Sequence, residues 1–114
     1  MILSRPVYPL TPDPRDVIQA MEEEHRHSIF TDVHVRGEYP GYAKRYFGEN
    51  GIKLDITEQD REILKNTVDF ISFSYYSSAC ASADPKNRNQ RTGNLLAGAT
   101  NPTLKATDWG WQID

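Results

Sequence analysis

Glu49, Asn50 and Gly51 form a triplet whose acidic side chain could act as a catalytic nucleophile. Cleavage of a glycosidic bond with retention needs two carboxyl groups about 5 to 5.5 Å apart, and the nucleophile must project into a pocket from the end of a buried strand. Glu49 instead follows an amphipathic stretch typical of a helix, and Asn-Gly is a common helix stop. We therefore interpret Glu49 as a helix-terminal residue and not as a nucleophile.

His25 and His27 lie next to three carboxylates at residues 22–24 and could indicate a metal site. Side chains three or four residues apart share a helix face, whereas side chains two apart point in different directions. The spacing favours a solvated helix end, with both histidines near the negative pole of the helix dipole. We predict no metal site and no cofactor.

Polar or ionisable side chains alternate with apolar or small residues after this stretch, at Asp32, His34, Arg36 and Glu38. This alternation is typical of the solvated face of an extended segment, although Gly37 and Pro40 end it soon. A strand and an irregular loop remain equally compatible with the pattern. We assign no chemistry to these four residues.

Aromatic residues near the carboxyl end of a predicted strand and near residue 110 could bind a sugar. Ser74 and Tyr76 lie where parallel strands end, the edge at which ligands bind in barrels and open sheets. For Tyr76, a functional role and a packing role are equally supported. Exposed aromatic rings commonly hold the apolar face of a sugar. We predict that Trp111 forms such a platform and that Trp109 fills a core.

Length and charge restrict the functional classes. The 114 residues allow one domain, and the net charge of −3, with 13 scattered basic residues, disfavours nucleic acid and anionic lipid as partners. The single cysteine, Cys80, excludes an internal disulfide, and no apolar run approaches the roughly 18 residues of a membrane span. We therefore expect a cytoplasmic protein, and the apolar start and tryptophan-rich end suggest a piece of a longer chain.

Local signals predict three helices. Asp13 as N-cap and Pro14 at the first helical position begin a helix that should end at Glu24 or His25. A second helix covers residues 39–47 and stops at the glycines that follow. A third begins after the N-cap Thr57, places Ile63 and Leu64 on its inner face, and ends near Asn66.

The run of apolar and aromatic residues at 67–76 predicts a parallel strand that is buried on both faces. With residues 1–3 as the tail of an earlier strand, the order of strand, helices and strand is that of a βαβ unit. The sequence therefore predicts an α/β fold. Residues 77–107 carry little apolar periodicity, and we predict a long mobile loop there.

Four stretches carry a resemblance to a known family: YPLTPDPRDV, FTDVHVRGEYP, TVDFISFSYYSS and TDWGWQID. They occur in the same order as in the middle of glycoside hydrolase family 1, and they most resemble its bacterial 6-phospho-β-glucosidases. The resemblance covers essentially residues 1–114. It implies a (β/α)₈ TIM barrel, of which this chain would supply a segment from the end of strand five to the loop between strands six and seven.

The resemblance implies roles for three residues. Tyr76 matches the tyrosine that contacts the nucleophilic carboxylate, and Trp111 matches the tryptophan that lines the aglycone side of the cleft. Ser74 stands where many relatives outside the phospho-sugar branch have asparagine. The family's acid/base lies in an Asn-Glu-Pro motif before this region and its nucleophile in a Thr-Glu-Asn-Gly motif after it. Neither motif occurs here, so Glu49 is not the nucleophile and the isolated chain should be inactive.

The leading hypothesis is thus a fragment of a retaining 6-phospho-β-glucosidase whose substrate is a phosphorylated β-glucoside. Alternatives are a 6-phospho-β-galactosidase parent, a non-catalytic sugar-binding or assembly module that uses Trp111, and a fragment without independent function. Because a barrel segment leaves strand edges unpaired and helix faces bare, we also predict a homo-oligomer.

Overall fold

The computed structural model describes residues 2–87 and 98–114 of an α/β chain. The chain divides into two compact units: unit 1 contains Ile2 and residues 25–73, and unit 2 contains residues 3–24 and the described part of 74–114. The elements in chain order are β1 (Ile2–Ser4), β2 (Val7–Pro9), α1 (Pro14–Arg36), α2 (Gly41–Glu49), α3 (Glu58–Leu64), β3 (Phe73–Tyr75), β4 (Ala79–Ala81) and the 3₁₀ helix Pro85–Asn87.

The strands of the described residues form two small sheets, in which β1 neighbours β3 and β2 neighbours β4. Strands β2 and β4 run parallel, with Val7 opposite Ala79 and Pro9 opposite Ala81. Parallel strands need a long crossover connection, and here the three helices lie between them in sequence. The strand, helices and strand order is therefore confirmed, but the parallel pair β2–β4 was not predicted.

The predicted long strand at 67–76 is shorter than expected. Only Phe73–Tyr75 is a strand, and the side chains of Phe70 and Phe73 are 80% and 62% exposed. The prediction of burial on both faces was wrong for this chain. In the described residues β3 has β1 as its sheet neighbour, and a two-stranded sheet cannot bury a whole apolar run.

The N-terminal cap of α1 is present, because the amide of Arg15 donates to Asp13 Oδ1 over 2.9 Å. The predicted end at Glu24 or His25 was wrong, since the helix continues to Arg36. Residues 28–36 are thus helical, not extended. An ion pair between Arg36 and Asp32, at 3.0 Å and four residues apart, stabilises the last turn.

Gly37 ends α1, with a φ of +70° that favours glycine, and its amide donates to Val33 O. A side chain at this position would also bring a Cβ atom to 2.8 Å from Leu64 O. Only glycine fits the position without displacing backbone. The alternation of polar and apolar residues around it reflected the helix surface, not a strand.

The second and third helices were predicted with the correct type. Helix α2 ends at Glu49, and Gly51 adopts a φ of +66°. The N-cap Thr57 and Asp60 form a capping box at the start of α3. The predicted inner face of α3 is not buried, however, because Ile63 is 59% exposed.

The predicted loop at 77–107 contains regular structure. Besides β4 and the 3₁₀ helix, Cys80 and Ala99 form an antiparallel bridge with hydrogen bonds of 3.1 and 2.8 Å. Residues 88–97 of this predicted mobile loop lie outside the described residues, as does Met1. Across residues 2–87 and 98–114, no helix is both long enough and apolar enough to span a bilayer.

The core of unit 2 is built from small side chains around one buried carboxylate. Val7, Ala20 and Ala81 form its apolar cluster. Asp16, which is 5% exposed, accepts hydrogen bonds from Thr11 Oγ1 at 2.7 Å, from the Ala83 amide at 2.7 Å and from Ser82 Oγ at 3.1 Å. One side chain thus connects the loop before α1, the first turn of α1 and the segment after β4.

Replacement of Asp16 by Asn should lower the melting temperature at pH 7 by roughly 5 to 10 °C, because the amide is a weaker acceptor and cannot accept all three bonds. The Ala83 amide and the Thr11 hydroxyl lower the pKa of Asp16 below its usual range. The contribution of the Asp16 carboxylate to the free energy of unfolding is therefore complete above about pH 4. This contribution is lost as the pH falls through the folded-state pKa. Thermal melts followed by circular dichroism at several pH values measure both effects.

Asp55→Asn provides the control, since Asp55 is an exposed residue paired with exposed Lys53 at 3.3 Å. The melting temperature of this variant should differ little from that of the parent. A difference between the parent and Asp16→Asn that does not shrink as the pH is lowered below about 4 would contradict the assignment.

Candidate functional site

The candidate site lies in unit 2, on a hairpin formed by residues 105–113. The Thr107 amide donates to Trp111 O over 2.7 Å, and the Ile113 amide donates to Lys105 O over 2.8 Å. Gly110 closes the turn with a φ of +81°, and its amide donates to Thr107 O. The hairpin fixes the backbone that carries both tryptophans.

Trp109 lies in the turn of this hairpin, and its side chain is 89% exposed. The prediction that Trp109 fills a core was therefore wrong. A residue between Thr107 and Gly110 in a tight turn points away from the body of the hairpin, and the local sequence did not reveal the hairpin. Its indole is therefore exposed at the turn.

Tyr76 and Trp111 are brought together by the structure. Their rings meet edge to face, with centroids 6.3 Å apart and planes at 78°, a geometry that aromatic pairs prefer. Tyr76 is 58% exposed and Trp111 is 44% exposed, so both rings keep a free surface. Trp111 is thus partly exposed and Tyr76 lies beside it, while the role of Trp111 as a platform stays a prediction.

Ser74, the third predicted site residue, is the middle residue of β3 and is half-buried. The strand leads directly into Tyr76. Ser74 therefore belongs to the same unit as the aromatic pair. The contribution of Ser74 to binding stays a prediction.

Asp114 contacts the residue beside Tyr76, a contact that the sequence did not indicate. The Tyr75 hydroxyl donates to Asp114 Oδ2 over 2.7 Å, and this bond raises the pKa of Tyr75 to about 12. The nearby hydroxyl groups of Ser78 and Tyr75 lower the pKa of Asp114 below its usual range. The end of the Trp111 segment is therefore attached to the residue next to Tyr76.

Glu49 lies in unit 1, at the last position of α2. Its carboxylate is 3.8 Å from Arg45 Nε, one helical turn earlier, and about two thirds of each side chain is exposed. A solvated ion pair of this kind contributes little to stability. The surroundings of Glu49 are those of a helix end.

The histidines of the predicted helix end lie inside α1, because the helix continues to Arg36. His25 stacks on Tyr42 with ring centroids 4.1 Å apart, and the Tyr42 hydroxyl donates to Asp32. In the part of the chain that the structure describes, no group of three or more His, Cys, Asp or Glu could hold a metal ion. His25 and Asp32 thus take part in packing contacts.

A cavity of about 320 Å³ lies in unit 1, between α1 and the segment after α3. Its lining residues are Thr31, His34, Val68, Asp69, Phe70, Ile71 and Ser72. None of the predicted site residues lines it. Tyr76 and Trp111 form an open surface and do not line this cavity.

The chain is similar to known glycoside hydrolases over its whole length. The family described as Glycosyl hydrolase family 1 matches residues 1–114. A 6-phospho-beta-glucosidase of Clostridium longisporum is 58% identical over 114 residues, which are 100% of this chain and 24% of the relative. The aryl-phospho-beta-D-glucosidase BglH of Bacillus subtilis (strain 168) is 52% identical over 115 residues, again 100% of this chain and 24% of the relative. The chain thus spans about a quarter of the length of these curated relatives.

A solved structure shows the same fold. The crystal structure of a beta-glucosidase from Exiguobacterium marinum superposes with a TM-score of 0.69 at 21% sequence identity, covering 95% of this chain and 24% of that structure. At this identity the likeness concerns the fold alone.

The two tryptophans should differ in access to a quencher. In the Trp111→Phe variant, Trp109 should be quenched by acrylamide at a rate close to that of free indole, because its ring is 89% exposed. In the Trp109→Phe variant, Trp111 should be quenched more slowly, since this residue is only 44% exposed and its ring lies against Tyr76. Stern–Volmer plots of fluorescence lifetime measure both rates, and equal rates would contradict the described hairpin.

Proposed function

Because the chain belongs to glycosyl hydrolase family 1, we propose that it is a segment of a retaining 6-phospho-β-glucosidase. The parent enzyme would hydrolyse 6-phospho-β-glucosides to glucose 6-phosphate and an aglycone. The observation that carries the proposal is the 58% identity, over the whole chain, to a relative named 6-phospho-beta-glucosidase. A second relative, named for the same class of phosphorylated glucoside, is 52% identical over the whole chain.

The segment would run from the end of strand five to the loop between strands six and seven of a (β/α)₈ barrel. Three features support this placement: the parallel pair β2–β4, the helices that lie between these strands in sequence, and the likeness to part of a beta-glucosidase structure. In such barrels the residues at the carboxyl ends of the strands form the active site. Ser74 in the middle of β3 and Tyr76 directly after it would face that site.

The chain would supply supporting groups to catalysis. A tyrosine hydroxyl that donates to the nucleophilic carboxylate stabilises its charge, and Tyr76 carries an exposed phenol suited to this role. The ring of Trp111 offers a flat apolar surface to the aglycone side of the substrate. Tyr76 and Trp111 contact each other, so one side of the cleft would contain both the carboxylate contact and the sugar contact.

The acid pair itself would come from other parts of the parent enzyme. Retaining hydrolysis needs two carboxyl groups about 5 to 5.5 Å apart, and the chain contains neither an Asn-Glu-Pro nor a Thr-Glu-Asn-Gly motif. We propose that the isolated chain is inactive. We also propose a cytoplasmic location, since substrates that carry a phosphate are charged and do not cross membranes unaided.

An exchange of segments tests this function. The 114 residues would replace the matching segment of the Clostridium longisporum enzyme, and the chimera should hydrolyse 4-nitrophenyl 6-phospho-β-glucoside faster than the 6-phospho-β-galactoside. Tyr76→Phe should lower kcat by about 100-fold, because a donor to a catalytic charge is lost. Trp111→Ala should raise KM roughly tenfold through loss of ring contact.

Matched controls separate these effects from general damage. Tyr46→Phe on α2 changes another partly exposed tyrosine, and Trp109→Ala removes the exposed tryptophan at the hairpin turn. Both chimeras should retain kcat and KM close to those of the unmodified chimera. A folded chimera without activity, a preference for the galactoside, or turnover by the isolated chain would each contradict the corresponding part of the proposal.

The isolated chain should also self-associate. Its large exposed apolar side chains include Phe30, Phe70 and Phe73 in unit 1, with exposures of 62 to 80%, and such surfaces promote contact between copies. Light scattering at micromolar concentration should give a mass above 13.0 kDa, and Phe70→Glu should shift it toward the monomer. Gln59→Glu adds the same charge on α3 and should leave the mass unchanged; a monomeric parent would overturn this expectation.

A further inference from the structure

Gln112 is a buried polar residue between two exposed ones. Its side chain is 3% exposed, whereas Trp111 and Ile113 on either side are 44% and 60% exposed. In extended backbone, successive side chains point to opposite faces. Because the side chain of Gln112 points inward, the side chain of the adjacent Trp111 points outward.

The amide of Gln112 makes two hydrogen bonds with the main chain of Asn101. The Asn101 amide donates to Gln112 Oε1 over 2.8 Å, and Gln112 Nε2 donates to Asn101 O over 2.6 Å. A primary amide has a donor and an acceptor side by side, so it can pair with a peptide unit as a neighbouring strand does. This pairing fixes both the position and the orientation of the Gln112 side chain.

The partner segment is itself attached to the core of unit 2. Ala99, two residues before Asn101, exchanges two backbone hydrogen bonds with Cys80 in β4, and both residues are 2% exposed. The connection therefore runs from β4 through residues 99–101 to Gln112. Trp111 directly precedes Gln112 in the chain, so its backbone is joined to this connection.

We propose that Gln112 is a positioning residue that sets the ring of Trp111 against Tyr76. A half-exposed indole has few packing contacts of its own to define its orientation, so the backbone beneath it must do so. An apolar side chain at 112 would fill the same space but would leave the Asn101 amide, now paired with Oε1, without that acceptor. The effect of Gln112 on sugar binding rests on the proposed function, whereas its effect on Trp111 does not.

The test uses the 114-residue chain with Trp109→Phe, in which Trp111 is the single indole. Adding Gln112→Met, which preserves length and removes both hydrogen bonds, should abolish most of the near-ultraviolet circular dichroism of Trp111 and raise its acrylamide quenching. Asn101→Ala is the matched control, because the Asn101 side chain accepts from Thr103 and the bonds to Gln112 involve only the main chain. It should leave both signals unchanged.

A second variant covers the case in which Gln112→Met fails to fold. Gln112→Glu keeps the acceptor for the Asn101 amide, but at pH 7 its charge faces the Asn101 carbonyl. The Trp111 band should be weaker at pH 7 and should recover at about pH 5, where a buried carboxyl group regains the proton that it can donate. The Trp109→Phe parent, measured at both pH values, supplies the baseline. A Trp111 band that is unchanged in every folded Gln112 variant would overturn the proposal.

Titration with glucose 6-phosphate separates this inference from the proposed function. If the sugar phosphate quenches Trp111 in the parent and binds several-fold more weakly to Gln112→Met, both are supported. If it quenches neither chain while Gln112→Met still loses the Trp111 band, the positioning role stands and sugar binding by this segment fails. If glucose 6-phosphate quenches the parent and Gln112→Met equally and the Trp111 band is unchanged, the positioning role of Gln112 is refuted, while sugar binding by this segment is still supported.

Discussion

The carboxylate of Asp16 is the interaction on which unit 2 depends. It lies in the first turn of α1 and accepts three hydrogen bonds from groups on both sides of the helix in sequence, at Thr11, Ser82 and Ala83. A buried carboxylate is costly unless its charge is satisfied. Because Ser82 and Ala83 follow β4 directly, the same contacts keep the end of β4 next to the start of α1. Strands β2 and β4 pair at this junction, and the apolar cluster of Val7, Ala20 and Ala81 lies there as well.

The candidate site is connected to this junction mainly by polar contacts. From β4, the Cys80–Ala99 bridge leads to Asn101, and the paired amide of Gln112 leads to Trp111. The buried side chains along this path are small or polar, so directional hydrogen bonds define the arrangement more strongly than apolar volume does. The large aromatic rings are left exposed as a result.

Membership of glycosyl hydrolase family 1 gives the exposed residues a consistent interpretation. The chain spans about a quarter of the length of these curated relatives, and Tyr76 and Trp111 are partly exposed. Its exposed phenylalanines and its two-stranded sheets have unsatisfied apolar surface, as expected of a part of a larger sheet. Under the proposed function, this part of the parent enzyme would contribute Tyr76 and Trp111, and the acid pair would lie elsewhere in the parent.

The sequence by itself determined the features that depend on neighbouring residues. The Asp13 cap, the Thr57 cap and the end of α2 before Gly51 were all predicted, since each involves groups within about four residues. The ordered motifs also indicated the family.

Only the tertiary structure decided the continuation of α1 to Arg36, the β2–β4 pair, the exposure of Trp109 and the contacts of Gln112 and Asp114. The Tyr75–Asp114 bond joins residues 39 apart, and no local pattern of side chains encodes such a distance. Contacts of this kind form only when distant segments meet, because their hydrogen bonds must offset the entropy of closing the intervening chain.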